Sequence, residues 1–343
     1  MFQERRGQGV IGLGKEKTLL DLRGVTRVFR TGLYLGAAFR AVDDVSFCIR
    51  EKTCEIVAGE SGSGKSTLAK MALGILRPSA GEVLYKGRNI FRLRGREKKE
   101  FKREVQPVFQ DPYETFSPFR KVTDYLEATV LNFGIAKSKK EAIRLIDDRL
   151  RRMGMDPQEV HGKFPHEFSG GQLQRLSIAR ALMANPRLLV ADEPVSMVDA
   201  SVRVDILALF VELMADFNMS VIYITHDLST AYYLGVQTNA EIVIMYRGEC
   251  VEKGSVEEVL INPLHPYSKM LLDALPEPNP QRKWTSRARL PSLTLKEFRK
   301  TGCKFAERCQ YAARTCFEKR PPSFYVDNRA VRCWIMEEKG GTP

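Results

Sequence analysis

The chain has 343 residues, enough for about two domains, and 43% of them are hydrophobic, ample for a buried core. No apolar run approaches the ~18 residues that a membrane-crossing helix needs, and Met1-Phe2-Gln3-Glu4-Arg5-Arg6-Gly7 lacks the apolar segment of a secretory signal, so a cytoplasmic protein is expected. A net charge of +12 leaves an anionic partner open, but a solubilising surface is the simpler reading, and seven cysteines in that compartment argue for thiols or a metal site rather than disulfides.

Residues 1–17 are polar without periodicity and read as a tail. Leu19–Phe29 and Ala41–Ile49 alternate as strands around a loop from Gly32 to Phe39. Phe29 is a candidate to stack on a flat ring, with a core aromatic as the equal alternative. Cys54–Ala58 reads as a short buried strand, and Thr67–Leu73 as the start of a helix. Between them Gly59-Glu60-Ser61-Gly62-Ser63-Gly64-Lys65-Ser66-Thr67 fits Gly-x-x-x-x-Gly-Lys-Ser/Thr. Its glycines let successive N–H groups curl around phosphate oxygens. Lys65 can reach the β- and γ-phosphates and Ser66 can ligate Mg²⁺. Strand, loop and helix in this order point to a bound nucleoside triphosphate such as ATP.

Pro78–Gly81 is a turn, Glu82–Tyr85 a strand, and Arg92–Arg103 a basic, solvated helical face. A strand from Val105 ends at Gln110 before Pro112. Residues 113–185 read as mostly helical. Ser138 and Glu141 form a capping box, Ile143, Ile146, Leu150 and Met153 a packing stripe, and Gly154 the stop. Ser169-Gly170-Gly171-Gln172 opens a further helix whose free N–H groups and hydroxyl suit an anion, although an ordinary cap explains them in isolation. Arg187–Asp192 is a buried strand running into adjacent carboxylates, Asp192 and Glu193. Strand alternation is expected to give these two different jobs, one at Mg²⁺ and one facing the γ-phosphate. Val202–Phe217 is a helix, Ser220–Thr225 a strand ending at His226-Asp227, and Glu241–Tyr246 with Glu249–Val251 a hairpin.

With these motifs in order, the chain resembles the ATP-binding subunit of an ABC transporter over about residues 18–265. The resemblance implies an α/β P-loop NTPase core with an antiparallel β subdomain and a helical subdomain at about 111–183. It makes Ser169-Gly170-Gly171-Gln172 the signature that binds the γ-phosphate of a partner subunit. Gln110 becomes the Q-loop, Asp192 and Glu193 the Walker B carboxylates, Asp199 part of the D-loop, and His226 the switch histidine. Phe29 falls at the adenine-stacking position. Phosphoryl transfer to water then needs positioning and charge stabilisation: Mg²⁺ at Ser66, Asp192 and Gln110, Lys65 on the phosphates, Glu193 on the attacking water. Since P-loop and signature face opposite ways in this family, a head-to-tail dimer is implied, with a second ATPase subunit that is a copy or a paralogue.

Residues 266–343 form an extension that begins near His265-Pro266-Tyr267, passes a Pro- and Arg-rich connector at 276–293 and carries Cys303, Cys309, Cys316 and Cys333. Their spacing lacks Cys-x-x-Cys and fits the usual zinc patterns poorly, so buried thiols or zinc are the readings from spacing. Gly302-Cys303-Lys304-Phe305-Ala306-Glu307-Arg308-Cys309 is similar to the oligopeptide, dipeptide and nickel-type importer ATPases, and that resemblance implies a [4Fe–4S] cluster on the four thiols. It also implies two membrane permeases, an external binding protein and a place on the cytoplasmic face of the membrane. Cys48, Cys54 and Cys250 read as small core residues. Met197 and Val198 in the D-loop, Leu173 after the signature and Arg329 depart from the common family pattern, which weakens any inference on peptide against oligosaccharide cargo. A soluble ABC ATPase acting on nucleic acid or ribosomes is the alternative. The single cassette and the interval of about a hundred residues between P-loop and signature disfavour it, and no nucleic-acid partner is expected.

Overall fold

The computed structural model describes residues 17–30, 38–275 and 301–342. The expected tail, apart from Lys17, most of the first loop and the connector lie outside the described residues. The described residues open with β1 (Thr18–Arg30) and β2 (Ala38–Arg50), followed by β3 (Cys54–Ala58), the strand that leads into the glycine-rich loop. Strands β4 (Ala80–Tyr85) and β5 (Arg88–Asn89) join the first two in an antiparallel sheet of order β2-β1-β4-β5.

The larger sheet adds β6 (Val105–Val108), β7 (Leu188–Asp192), β8 (Ser220–Thr225), β9 (Glu241–Tyr246) and β10 (Glu249–Ser255). Its order is β11-β12-β10-β9-β3-β8-β7-β6, with β11 (Phe324–Val326) and β12 (Arg329–Val331) from the extension. From β9 to β6 neighbouring strands run parallel. Pro107 is tolerated because β6 is an edge strand. The chain crosses from β3 to the far edge at β6, returns through β7 and β8, then jumps over β3 to β9. Open α/β sheets bind ligands where the order reverses in this way, beyond the C-terminal strand ends.

Alternation along these buried strands builds two cores. Ile56, Leu189, Ala191, Tyr223 and Ile244 face the helical side of the sheet. Val57, Val190, Ile222, Ile224 and Val243 face the other side, where Leu68 and Met71 of the phosphate-loop helix pack with Leu20, Leu22 and Val45 of the small sheet. Parallel strands covered on both faces read as near-continuous apolar runs, which is why they were legible.

The helical part comprises Val122–Asn132, Lys139–Arg152 and Gly170–Leu182, with short helices between them. The Ser138 hydroxyl caps the Glu141 N–H as expected, but Glu141 reaches back to Lys137 N–H rather than to Ser138, so the box is offset by one residue. Ile143 is exposed and leaves the stripe, which is Ala142, Ile146, Leu150 and Met153. At about 100° per residue Ile143 falls at the edge of the arc that Ala142, Met153, Ile146 and Leu150 span, and packing leaves that edge open to solvent. The basic run forms the helix Gly95–Glu104, in which only Phe101 and Glu104 are buried.

The extension is not a separate layer. β12 pairs with β10 through Glu252↔Val331 and Lys253↔Ala330, continuing the main sheet. Arg329, one of the unusual positions, is buried and donates to the carbonyls of Asn262 (2.6 Å) and Glu258 (3.3 Å), satisfying the end of the helix Val256–Ile261. No helix among the described residues is long and apolar enough to cross a membrane.

Candidate functional site: a phosphate-binding loop and its carboxylates

The phosphate loop joins β3 to the helix Lys65–Ala72, whose N-cap is Gly64 with no side chain capping it. Gly64 has φ +104°, and a Cβ there would lie 2.2 Å from the Ala41 carbonyl oxygen. Gly59, at φ +150°, would meet the Met245 carbonyl oxygen at the same distance. Only glycine fits either position. The Lys65 ammonium is buried and donates to the carbonyls of Gly59 (2.8 Å) and Glu60 (3.0 Å). Burial pushes its pKa down, while Glu193, Asp192 and Glu60 pull the other way.

A cavity of about 370 Å³ opens over this loop. Phe29, Phe39 and Ala41 line one side, Ser61, Gly62, Gly64, Lys65, Ser66 and Thr67 the floor, and Gln110 with Glu193 the far wall. The Phe29 and Phe39 rings lie 5.7 Å apart at 31°. Phe39 was missed from sequence because it ends a stretch without periodicity. Ser63 points inward and is buried.

Behind the loop, Asp192 ends β7 with the Ser66 hydroxyl close enough to its carboxylate to pull the pKa down. Burial raises the Asp192 pKa, opposed by that hydroxyl, and its Oδ1 is buried without a partner. A buried orphan carboxylate oxygen beside a serine hydroxyl is a donor set that suits Mg²⁺. Glu193 is placed by a different device from the alternation expected. Its φ is +47° and its N–H donates to the Ile224 carbonyl at 2.9 Å, so the chain turns off the strand and swings the side chain round. The carboxylate accepts from Gln110 Nε2 at 3.1 Å and lies 3.0 Å from His226 Nδ1, just beyond β8.

Ser169, Gly170, Gly171 and Gln172 are not among the residues lining this cavity. Ser169 and Gln172 form a full capping box on the helix Gly170–Leu182, Oγ to the Gln172 N–H at 3.3 Å and the Ser169 N–H to Gln172 Oε1 at 3.0 Å. A Cβ on Gly171 would sit 2.7 Å from Val202, so the glycine lets this helix start touch the helix Ala200–Phe217, which Asp199 precedes at the N-cap. Leu173 is fully buried, which accounts for an apolar residue there.

The four extension cysteines line one small cavity together with His265, Pro266, Phe305 and Trp334. Its volume is about 10 Å³, roughly room for a single water. Burial raises the thiols of Cys303 to about 12 and Cys333 to about 11. Among the described residues no group of three or more His, Cys, Asp or Glu is arranged to hold a metal ion. The donor set therefore suits the expected [4Fe–4S] cluster in kind, but the enclosed space does not fit it. Of the other cysteines, Cys54 is buried, whereas Cys48 and Cys250 are only half-buried.

A family profile described as ABC transporter matches residues 42–196, and one described as the oligopeptide/dipeptide transporter C-terminal region matches residues 251–316. The chain is 35% identical to a di/tripeptide transport ATP-binding protein of Pseudomonas aeruginosa, over 94% of this chain and 99% of that protein. It is 36% identical to a dipeptide transport ATP-binding protein of Haemophilus influenzae, over 94% and 98%. Among solved structures it is similar to cbiO1 of Clostridium perfringens, part of an ABC transporter complex, with TM-score 0.60 and 25% identity over 72% of this chain and 92% of that one. A dimeric ATP-binding cassette bound to ADP and Pi gives TM-score 0.62 and 25% identity over 69% and 99%.

Proposed function

The chain belongs to the ATP-hydrolysing subunits of ABC transporters, in the oligopeptide and dipeptide group, and from that premise we propose that it powers the uptake of peptides or related small oligomers across a cell membrane. It would sit on the cytoplasmic face against two permease subunits, receive cargo through an external binding protein, and pair head to tail with a second ATPase, a paralogue in the reading favoured here. The observation that carries the reading is the Glu193 carboxylate, held between Gln110 and His226 at the wall of the P-loop cavity.

In this reading the adenine stacks on Phe29, with Phe39 beside it. The glycines and N–H groups of Gly59–Thr67 hold the phosphates, and Lys65 leaves its two carbonyl partners to neutralise the β- and γ-oxygens. Ser66 and Asp192, with Gln110, would hold Mg²⁺, which supplies charge neutralisation on the departing phosphates. Glu193 takes a proton from the attacking water as its oxygen bonds the γ-phosphorus and the bond to the ADP oxygen breaks. His226 orients Glu193 and contacts the γ-phosphate. The partner's signature, equivalent to Ser169-Gly170-Gly171-Gln172, and the D-loop carrying Asp199 complete the site from outside.

ATPase activity of the chain purified with both permeases, measured with and without peptide-loaded binding protein, tests the reading. Stimulation by the loaded protein is expected; a chain that never co-purifies with a membrane subunit would sink the importer assignment. The [4Fe–4S] cluster that the resemblance implies on Cys303, Cys309, Cys316 and Cys333 is left out of this reading, because the four thiols share a cavity of only about 10 Å³. Iron and sulfide analysis of anaerobically prepared protein decides it: colourless, iron-free protein rules the cluster out.

A further inference from the structure

The motif leaves the second position of the phosphate loop open to any residue, and here it is a glutamate. Glu60 brings a negative charge to a loop built to hold phosphates, which would repel them if left free. The structure shows where that charge goes. Arg308, between Glu307 and Cys309, donates to Glu60 through both arms of its guanidinium, Nη1 to Oε2 and Nη2 to Oε1, each at 2.9 Å. This bidentate pair is half-buried, with the Arg308 side chain 9% exposed. The hydroxyl of Tyr267, fully buried, accepts the Glu60 N–H at 2.9 Å. The Glu60 carbonyl in turn accepts from Lys65 Nζ at 3.0 Å and from the Ser63 N–H at 3.1 Å. One residue thus hands the extension's grip directly to the phosphate-binding lysine.

A second tether reaches the loop through Gly248 and Ser63. Lys304, next to Cys303, is buried and spans Asp43 (3.0 Å), the Arg247 carbonyl (3.0 Å) and Glu249 (3.2 Å). The Asp43 N–H donates to the Gly248 carbonyl, and the Gly248 N–H to the Ser63 carbonyl, both at 2.8 Å. Phe305 fixes the frame between them, its ring 5.3 Å from Tyr246 and 5.5 Å from Tyr267.

We propose that Arg308 and Tyr267 of the C-terminal extension are positioning residues for the nucleotide site, acting through Glu60 to hold the phosphate loop open to ATP and to cancel the charge that would oppose it. The proposal rests on the assignment of Gly59–Thr67 to ATP phosphates. The test uses the full chain and ATP itself, reading Kd by equilibrium binding, KM and kcat by hydrolysis, and folding by thermal melting. Lys65→Ala controls the underlying assignment: if it binds ATP like the wild type, that assignment fails, not this one.

With Lys65→Ala defective, Arg308→Gln raises Kd and KM for ATP about tenfold while kcat at saturation stays near wild type, because the hydrolytic groups are untouched. Glu60→Gln alone breaks the same grip but also removes the opposing charge, so it weakens ATP binding less than Arg308→Gln does, and adding it to Arg308→Gln recovers affinity to the level of Glu60→Gln alone, a coupling that non-additivity reveals. A role confined to folding predicts no such rescue. Tyr267→Phe weakens ATP binding a few-fold through the freed Glu60 N–H. If Arg308→Gln does not fold, Arg308→Lys, which keeps the charge without the two-armed grip, carries the test with Tyr267→Phe. Wild-type Kd in the folded Arg308 and Tyr267 variants, or an unrescued double variant, overturns the proposal.

Discussion

Replacing Glu193 with glutamine separates the base from its scaffold. The carboxylate accepts from Gln110 Nε2 at 3.1 Å and lies 3.0 Å from His226 Nδ1. Glutamine has the same shape, so its amide oxygen keeps the bond from Gln110 and its NH2 turns toward the imidazole. The left-handed backbone at φ +47° is equally strained in both chains. Little is lost but basicity, and a general base is worth about 10²–10⁴-fold, or about 2.7–5.4 kcal/mol of barrier. ATP affinity should hold or tighten, since a negative charge that interacts with Lys65 beside the phosphates has gone. Single-turnover phosphate release with saturating ATP and Mg²⁺, alongside equilibrium ATP binding, reads both quantities. Turnover within about threefold of wild type, with binding intact, would refute the assignment of the base. Turnover lost together with binding would instead refute the claim that the scaffold survives.

Asp192→Asn removes the negative charge and one of the two carboxylate oxygens, and should abolish the Mg²⁺ dependence of ATP binding while leaving metal-free nucleotide binding measurable, checked by titration with and without EDTA. Gly62→Ala and Gly64→Ala should both destabilise, each by about 1–3 kcal/mol of left-handed strain. Gly64→Ala must be the worse, because its Cβ meets the Ala41 carbonyl at 2.2 Å whereas nothing lies within 4 Å of one on Gly62, and urea unfolding without nucleotide ranks them. His265, fully enclosed and capping the helix Pro266–Asp273 through Nδ1, has its pKa pushed down from 6.5 to about 3 by burial. The unfolded chain therefore takes the proton first, and this histidine's contribution falls as pH drops from 6.5 towards 3, by up to about 1.4 kcal/mol per unit. Glu55, raised to about 7 by burial, works oppositely, gaining stability as pH falls from 7 to 4.5, but it is common to both chains when wild type is compared with His265→Asn. Asparagine still caps, so the melting temperatures of the two should diverge only below pH 6.5.

The strand, loop and helix around Gly59–Thr67, the strand ending at Asp192 and the place of His226 just beyond β8 were legible because each is specified within a few adjacent residues, and β7 and β8 are buried almost throughout. What escaped was set by distant partners. Glu60 and Arg308 are 248 positions apart, and nothing in either segment alone announces the pair. The pairing of β12 with β10 was hidden for the same reason: three-residue strands have no period to read. Ile143 was misassigned because apolar residues at 142, 143 and 146 allow two stripes, and only packing chooses. The sharp turn at Glu193 defeated the alternation rule because the strand ends one residue earlier, at Asp192.

The position of the signature sharpens the case for a second subunit. Ser169 and Gln172 cap one another, and the helix start is pressed against Val202, so the unit is rigid before any nucleotide arrives. Yet the P-loop cavity takes no residue from it. Beside it lies Met197, 59% exposed, with a Cβ on Gly170 falling 3.5 Å from the Met197 carbonyl oxygen. A capped helix start outside the cavity, with an uncovered apolar side chain beside it, is the kind of surface that a partner cassette would cover. The P-loop is steadied on its own side by Arg308 and Tyr267, so it need not wait for that partner to take ATP. Binding would then precede closure, and the energy of closure would come from the second signature meeting a γ-phosphate already in place.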